Sequence, residues 1–199
     1  QVLRSIPIKG AANLEGVAVL ADGHVAVIDE RQRSLSIFLL NADTRELDSA
    51  QAVQRVELGT VGDSNKGFEG LAWDSRNQRL LLANEKNPVR LFSLACDGRR
   101  VSGPLQALGD LDGYVTDVAG LSVDSRSGQL LALSQESHLL LGLDPQLRAQ
   151  SFLALLPGLN GLTRRVPQAE GLALDNAGNL YVVSERNLFF AFRREVSAP

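Results

Sequence analysis

A unit of about fifty residues recurs four times in this chain, and no other feature limits its fold as severely. The plainest copy opens with Glu69-Gly-Leu-Ala-Trp-Asp74, reverses through a polar turn to Arg79, and returns as Leu80-Leu-Leu-Ala-Asn-Glu-Lys86. The others are Glu15-Gly-Val-Ala-Val with Val25-Ala-Val-Ile-Asp-Glu-Arg31, Ala119-Gly-Leu-Ser-Val-Asp124 with Leu130-Leu-Ala-Leu-Ser-Gln-Glu136, and Glu170-Gly-Leu-Ala-Leu-Asp175 with Leu180-Tyr-Val-Val-Ser-Glu-Arg186. The matched first positions, Glu15, Glu69, Ala119 and Glu170, stand 54, 50 and 51 residues apart. Apolar runs this short, broken by Gly, Asn, Asp and Pro, suit strands better than helices. A strand-built repeat of this period points to an all-β fold, a β-propeller of four-stranded antiparallel blades with four repeats in this chain.

The repeats fall at about 11–58, 67–108, 116–155 and 168–193 of one domain spanning 1–199. Residues 1–10, with Val2, Leu3, Ile6 and Ile8 around Pro7, read as a strand ahead of the first repeat. The last repeat lacks a fourth strand. A four-bladed ring can therefore close by borrowing the first strand, which leaves no unpaired edge at the seam. A larger ring with a further blade upstream fits the same count.

In a propeller each blade's first strand lies nearest the axis, and the second runs back beside it. The start of strand one and the end of strand two therefore share a face. Glu15, Glu69 and Glu170 are expected around the channel mouth, with Ala119 breaking the series and Asp117 just before it. Glu30, Glu85, Lys86, Gln135, Glu185 and Arg186 are expected on the rim of that face, where the longest connections, 59–68, 109–117 and 157–168, also open. Converging carboxylates need raised pKa values, basic partners or a cation. Oxygen donors with no His or Cys cluster suit a hard ion such as Ca²⁺ rather than zinc. The alternative is structural: the glutamates accept bonds from backbone amides of the neighbouring blade and knit the ring. His138 and the pair Arg164-Arg165 are also candidates for this face; a single histidine without an acid or nucleophile partner is more often an ordinary residue, and the pair is available to an anionic ligand, or is simply solvated.

A net charge of −3 without Lys/Arg blocks gives no case for nucleic acid or a membrane surface, and no apolar run approaches a spanning helix. Cys96 is the sole cysteine, so no disulfide forms within the chain.

Several segments resemble the SdiA-regulated (YjiK-like) family of bacterial β-propellers. They are Pro7-Ile8 with Leu14-Glu15-Gly16 and Ile28-Asp29-Glu30-Arg31, Gly67-Phe68-Glu69-Gly70 with Asn84-Glu85-Lys86-Asn87-Pro88, Asp117-Val118-Ala119-Gly120 with Leu133-Ser134-Gln135-Glu136-Ser137, and Gln168-Ala169-Glu170-Gly171 with Val183-Ser184-Glu185. The resemblance implies a periplasmic or envelope protein, held to the membrane only through an anchor absent from this chain, and a five-bladed ring with one more blade upstream. It carries no established activity. The expected function is binding of a small ligand or Ca²⁺ at the channel mouth. Glu15, Glu69, Asp117 and Glu170 are the candidate metal donors, with Glu30, Glu85, Lys86, Gln135, Glu185 and Arg186 as ligand-binding residues. Related propellers, the gluconolactonase and paraoxonase-like enzymes and the esterase-like phytases, suggest the alternative of a metal-dependent hydrolase of a phosphoester, ester or lactone.

Overall fold

The structure, a computed structural model, describes residues 2–61 and 66–194, so Gln1 of the first expected strand and part of the 59–68 connection lie outside it. Among the described residues the chain is all-β apart from one short 3-10 turn at Ser49–Gln51. After β1 (Ile8–Lys9), the first blade comprises β2 (Leu14–Val19), β3 (His24–Asp29) and β4 (Ser34–Leu39). The short β5 (Leu47–Asp48) follows, and β6 (Gln54–Glu57) completes the blade. The second blade is β7 (Phe68–Asp74), β8 (Arg79–Asn84), β9 (Arg90–Cys96) and β10 (Val101–Asp110). The third is β11 (Gly120–Val123), β12 (Leu130–Ser134), β13 (Leu139–Leu143) and β14 (Ala149–Ala154). The fourth has three strands among the described residues, β15 (Ala169–Leu174), β16 (Leu180–Ser184) and β17 (Leu188–Phe192). Neighbouring strands within every blade are antiparallel.

The strand read over residues 1–10 is present only as β1. It pairs in parallel with β5, inside the first repeat, with Ile8 opposite Leu47.

The core is a set of seams between blades rather than a single centre. On β8, Leu80 and Leu82 face the first blade's Ile28 and Ile37, while Leu81 and Ala83 face the third blade's Leu130 and Ala132. β12 repeats the pattern, turning Leu131 and Leu133 toward Leu180 and Val182 of the fourth blade. A strand buried on both faces has no solvated side, which is why these segments read as unbroken apolar runs. Truncating a buried Leu to Ala at such a seam costs about 2–5 kcal/mol.

The two terminal blades each have one face without a seam. Val17 and Val19 of β2 are 65% and 74% exposed, and Val183 and Phe189 of the fourth blade are 46% and 66% exposed. The described residues form seams between blades one and two, two and three, and three and four.

Candidate functional site

The inner glutamates reach the axis because the ladder breaks where they sit. Leu14 pairs with Asp29 but the next match is Val17 with Val27, Phe68 pairs with Asn84 but Gly70 with Ala83, and Ala169 pairs with Ser184 but Gly171 with Val183. Glu69 and Glu170 are thus each the extra residue of a β-bulge, and Glu15 lies within the equivalent irregularity. A bulge leaves its residue unpaired and re-aims the side chain. The following glycine lets the next blade approach. A Cβ on Gly16 would stand 2.6 Å from the Glu69 carbonyl oxygen, and one on Gly70 would stand 2.7 Å from Leu121 Cγ. The Glu-Gly pair therefore combines two instructions, an acid aimed inward and a gap for the neighbour.

These positions meet as the repeats predict. Glu15, Glu69, Ala119 and Glu170 line one small cavity of about 70 Å³ among the four inner strands. At its rim, carboxylate oxygens of Glu30, Glu69 and Glu85 all lie within 4.8 Å of one another. Glu30 and Glu69 are half-buried and Glu85 is buried.

The three carboxylates are stabilised differently. Glu30 is knitted in, accepting from the Gly67 amide of the second blade at 2.9 Å and from Asn13 Nδ2 at 3.0 Å. Glu85 is paired with two lysines, Lys66 Nζ at 2.9 Å and Lys86 Nζ at 3.3 Å. Glu69 receives no hydrogen bond or ion pair among the described residues. Burial, reinforced by the charges of Glu85, Glu15, Glu30 and Glu170, pushes its pKa up to about 8. Burial and the nearby Glu185, Glu15 and Asp117 raise Glu170 to about 6. Burial and Glu30 raise Glu15 as well. Two of the three ways to accommodate converging acids are therefore in use, protonation and basic partners. Lys66 is the participant the repeats did not reveal, because the long connections differ in sequence and only this one carries a lysine.

Asp117, one of the four expected metal donors, lies apart from the trio. It is 2% exposed, and its carboxylate accepts from Ser134 Oγ and from the amides of Gln135 and Glu136, both at 3.1 Å. The first blade makes the same knot with the acid on the opposite partner. There Asp29, at the end of β3, accepts from the amides of Ala12, Asn13 and Gln32 at 2.6, 3.3 and 2.9 Å. In the fourth blade Ser184 Oγ donates to the Pro167 carbonyl. Each knot ties the lead-in to strand one to the turn after strand two.

The rim residues divide into two groups. Lys86 spans to the third blade, 2.7 Å from Glu136 Oε1, and so belongs with the acid trio. Gln135 and Arg186 instead line a larger cleft between the third and fourth blades. Glu185 accepts from Gln168 Nε2 at 2.7 Å beside that cleft. On the opposite face the acids behave conventionally. The Arg126 hydrogen bond holds Asp124 at about 2, and the Asn179 side chain does the same for Asp175. Arg76 and Arg126 there each donate to a turn carbonyl of the next blade, at 2.6 and 3.0 Å, fixing the blades from below.

The family described as SdiA-regulated matches the chain over residues 1–193. Among solved structures, the glutaminyl cyclase of Myxococcus xanthus is similar with a TM-score of 0.65 at 21% identity, over 94% of this chain and 67% of that one. A chain of the nidogen/laminin complex is similar with a TM-score of 0.59 at 16% identity, over 88% of this chain and 57% of that one. Likeness at these identities carries the fold alone. Among the described residues, no helix is long and apolar enough to cross a membrane.

Proposed function

The chain belongs to the SdiA-regulated family, and from its channel mouth we propose that it is a binding propeller whose acids take up a hard cation, Ca²⁺, or the cationic group of a small ligand. The observation that carries this reading is the approach of Glu30, Glu69 and Glu85 to within 4.8 Å of one another, with Glu69 held protonated to about 8. Oxygens coordinating one Ca²⁺ at about 2.3–2.6 Å can stand up to about 5 Å apart, so the trio spans a suitable distance. Glu15 and Glu170 would add oxygens from the cavity below, while Lys66 and Lys86 would swing away from Glu85 as the cation replaces them. Family resemblance is the ground for placing the protein in the periplasm, where free Ca²⁺ is more abundant than in cytosol.

The test is calorimetric titration of the chelator-treated protein with Ca²⁺, alongside Glu69→Gln. Saturable binding that is lost in the variant supports the reading. The absence of binding in the unaltered protein removes it.

A hydrolytic use of the same cation has one observation in its favour, since Glu170 at about 6 is poised as a base near neutrality. That reading requires turnover of a generic ester, lactone or phosphoester that disappears in both Glu69→Gln and Glu170→Gln.

A further inference from the structure

We propose that the cleft between the third and fourth blades is an anion-binding site, separate from the axial acids, that takes a small molecule through a phosphate or carboxylate group. The cleft is open to solvent with a volume of about 760 Å³, room for a small-molecule ligand, and is lined by Arg164, Arg165, Arg186, His138, Gln135 and Gln168. It contains no carboxylate lining residue. Three guanidiniums therefore face one concavity, and no ion pair or hydrogen bond answers any of them among the described residues. Five arginines elsewhere are held by carboxylates: Arg79 by Asp74, Arg90 by Asp110, Arg99 by Asp22, Arg126 by Asp124 and Arg148 by Asp144. Three unpaired like charges around one hollow repel one another, and an oxyanion would convert that repulsion into attraction.

The loop that carries two of these arginines is held in place before any ligand arrives. Val166, directly after Arg165, is 1% exposed within the seam between the blades, and its amide donates to the Leu155 carbonyl at 3.1 Å. Pro167 accepts from Ser184, and Asn160 Nδ2 donates to the Ala154 carbonyl at 2.9 Å. Arg186 and His138 come from the tight turns after β16 and β12, each with a left-handed backbone, φ 65° and 52°. Guanidiniums presented from such fixed positions can meet an oxyanion with paired N–H donors, a geometry lysine cannot supply. Gln135 and the His138 ring provide the remaining polar groups for whatever the anion is attached to.

The experiment is isothermal titration of the full chain at constant ionic strength with inorganic pyrophosphate and, separately, with citrate. It is repeated on Arg165→Gln, Arg186→Gln and Arg100→Gln, the last removing one positive charge outside the cleft. The expected result is saturable binding of at least one anion, weakened tenfold or more by each cleft substitution and unchanged by Arg100→Gln, with melting temperatures in anion-free buffer alike for all four proteins. Preference for pyrophosphate identifies a phosphate ligand, and preference for citrate a carboxylate one. No saturable heat with either anion overturns the proposal, as does equal weakening by Arg100→Gln. The same titration in Glu69→Gln with chelator separates the two sites. Retained binding assigns the anion to the arginines; loss there with the arginines intact would place it on an axial cation and overturn the assignment.

Discussion

Glu30 of the first blade accepts a hydrogen bond from the Gly67 amide of the second at 2.9 Å, while standing in the same acid trio as Glu69 and Glu85. The structural and ligand-binding explanations of the recurrent acids therefore meet in one side chain. They can be separated. Glu30→Gln keeps an acceptor for Gly67 and removes the charge, so stability should stay within about 0.5 kcal/mol while Ca²⁺ affinity falls at least tenfold. Glu30→Ala should also lose the bond between blades, at about 1–2 kcal/mol in chemical denaturation. Equal stability loss in both variants would show that the charge, not the bond, supports the blade contact.

Glu69 makes the metal-free protein sensitive to alkaline conditions. Its carboxyl holds a proton to about 8 in the folded chain, against 4.5 for the ordinary group. Between those values the unfolded chain ionises first, so stability is full below about 4.5, falls as the pH rises and levels off above 8. Glu69→Gln removes this loss. In chelator the variant should match the parent near pH 4.5 and exceed it at pH 8, by roughly 1–2 kcal/mol once partial exposure is allowed for. Paired melting curves across this range check it. A parent as stable as the variant at pH 8 would show that Glu69 ionises normally.

Cation binding should expel a proton. At pH 7 a group with a pKa of about 8 is mostly protonated, and coordination requires the carboxylate. Affinity should therefore rise with pH from 6 to 8, approaching tenfold per unit at the lower end. Calorimetry at pH 7 in two buffers of different ionisation enthalpy should report close to one proton released per ion. Zero release would mean that the ion does not engage Glu69.

The array of blades was legible because its cause is periodic. Positions such as Leu80 to Ala83 must be apolar on both faces to fill two seams, and that demand recurs in every middle blade. The shared face of Glu15, Glu69 and Glu170 followed from strand direction alone. The bulges that aim these residues did not, since a slip in hydrogen-bond register leaves no mark on residue type. Lys66 was hidden because the long connections between repeats share no sequence, and only 59–68 carries a lysine. Asp117 lies two residues before the matched position, where residue type alone does not distinguish a displaced ring member from an acid tied to the turn after β12. Only the paths of the Gln135 and Glu136 amides show where its carboxylate is engaged. The arginine cleft draws on one connection and two turns remote in sequence, so the pair Arg164-Arg165 alone gave no sign of Arg186 beside it.

The knot at Asp117 gives the clearest separation of structure from site. Its carboxylate accepts from Ser134 Oγ and two backbone amides in a setting with almost no access to water. Asp117→Ala leaves a buried hydroxyl and two part-buried N–H groups without their acceptor, a loss of about 2–4 kcal/mol. Asp117→Asn retains one acceptor oxygen and should cost roughly half as much. Because these bonds hold the turn after β12 to the lead-in of β11, away from the Glu30, Glu69 and Glu85 trio, Ca²⁺ affinity should change less than threefold in whichever variant remains folded. Denaturation and calorimetry on the same samples distinguish the roles. Unchanged stability with abolished Ca²⁺ binding would return Asp117 to the set of metal donors.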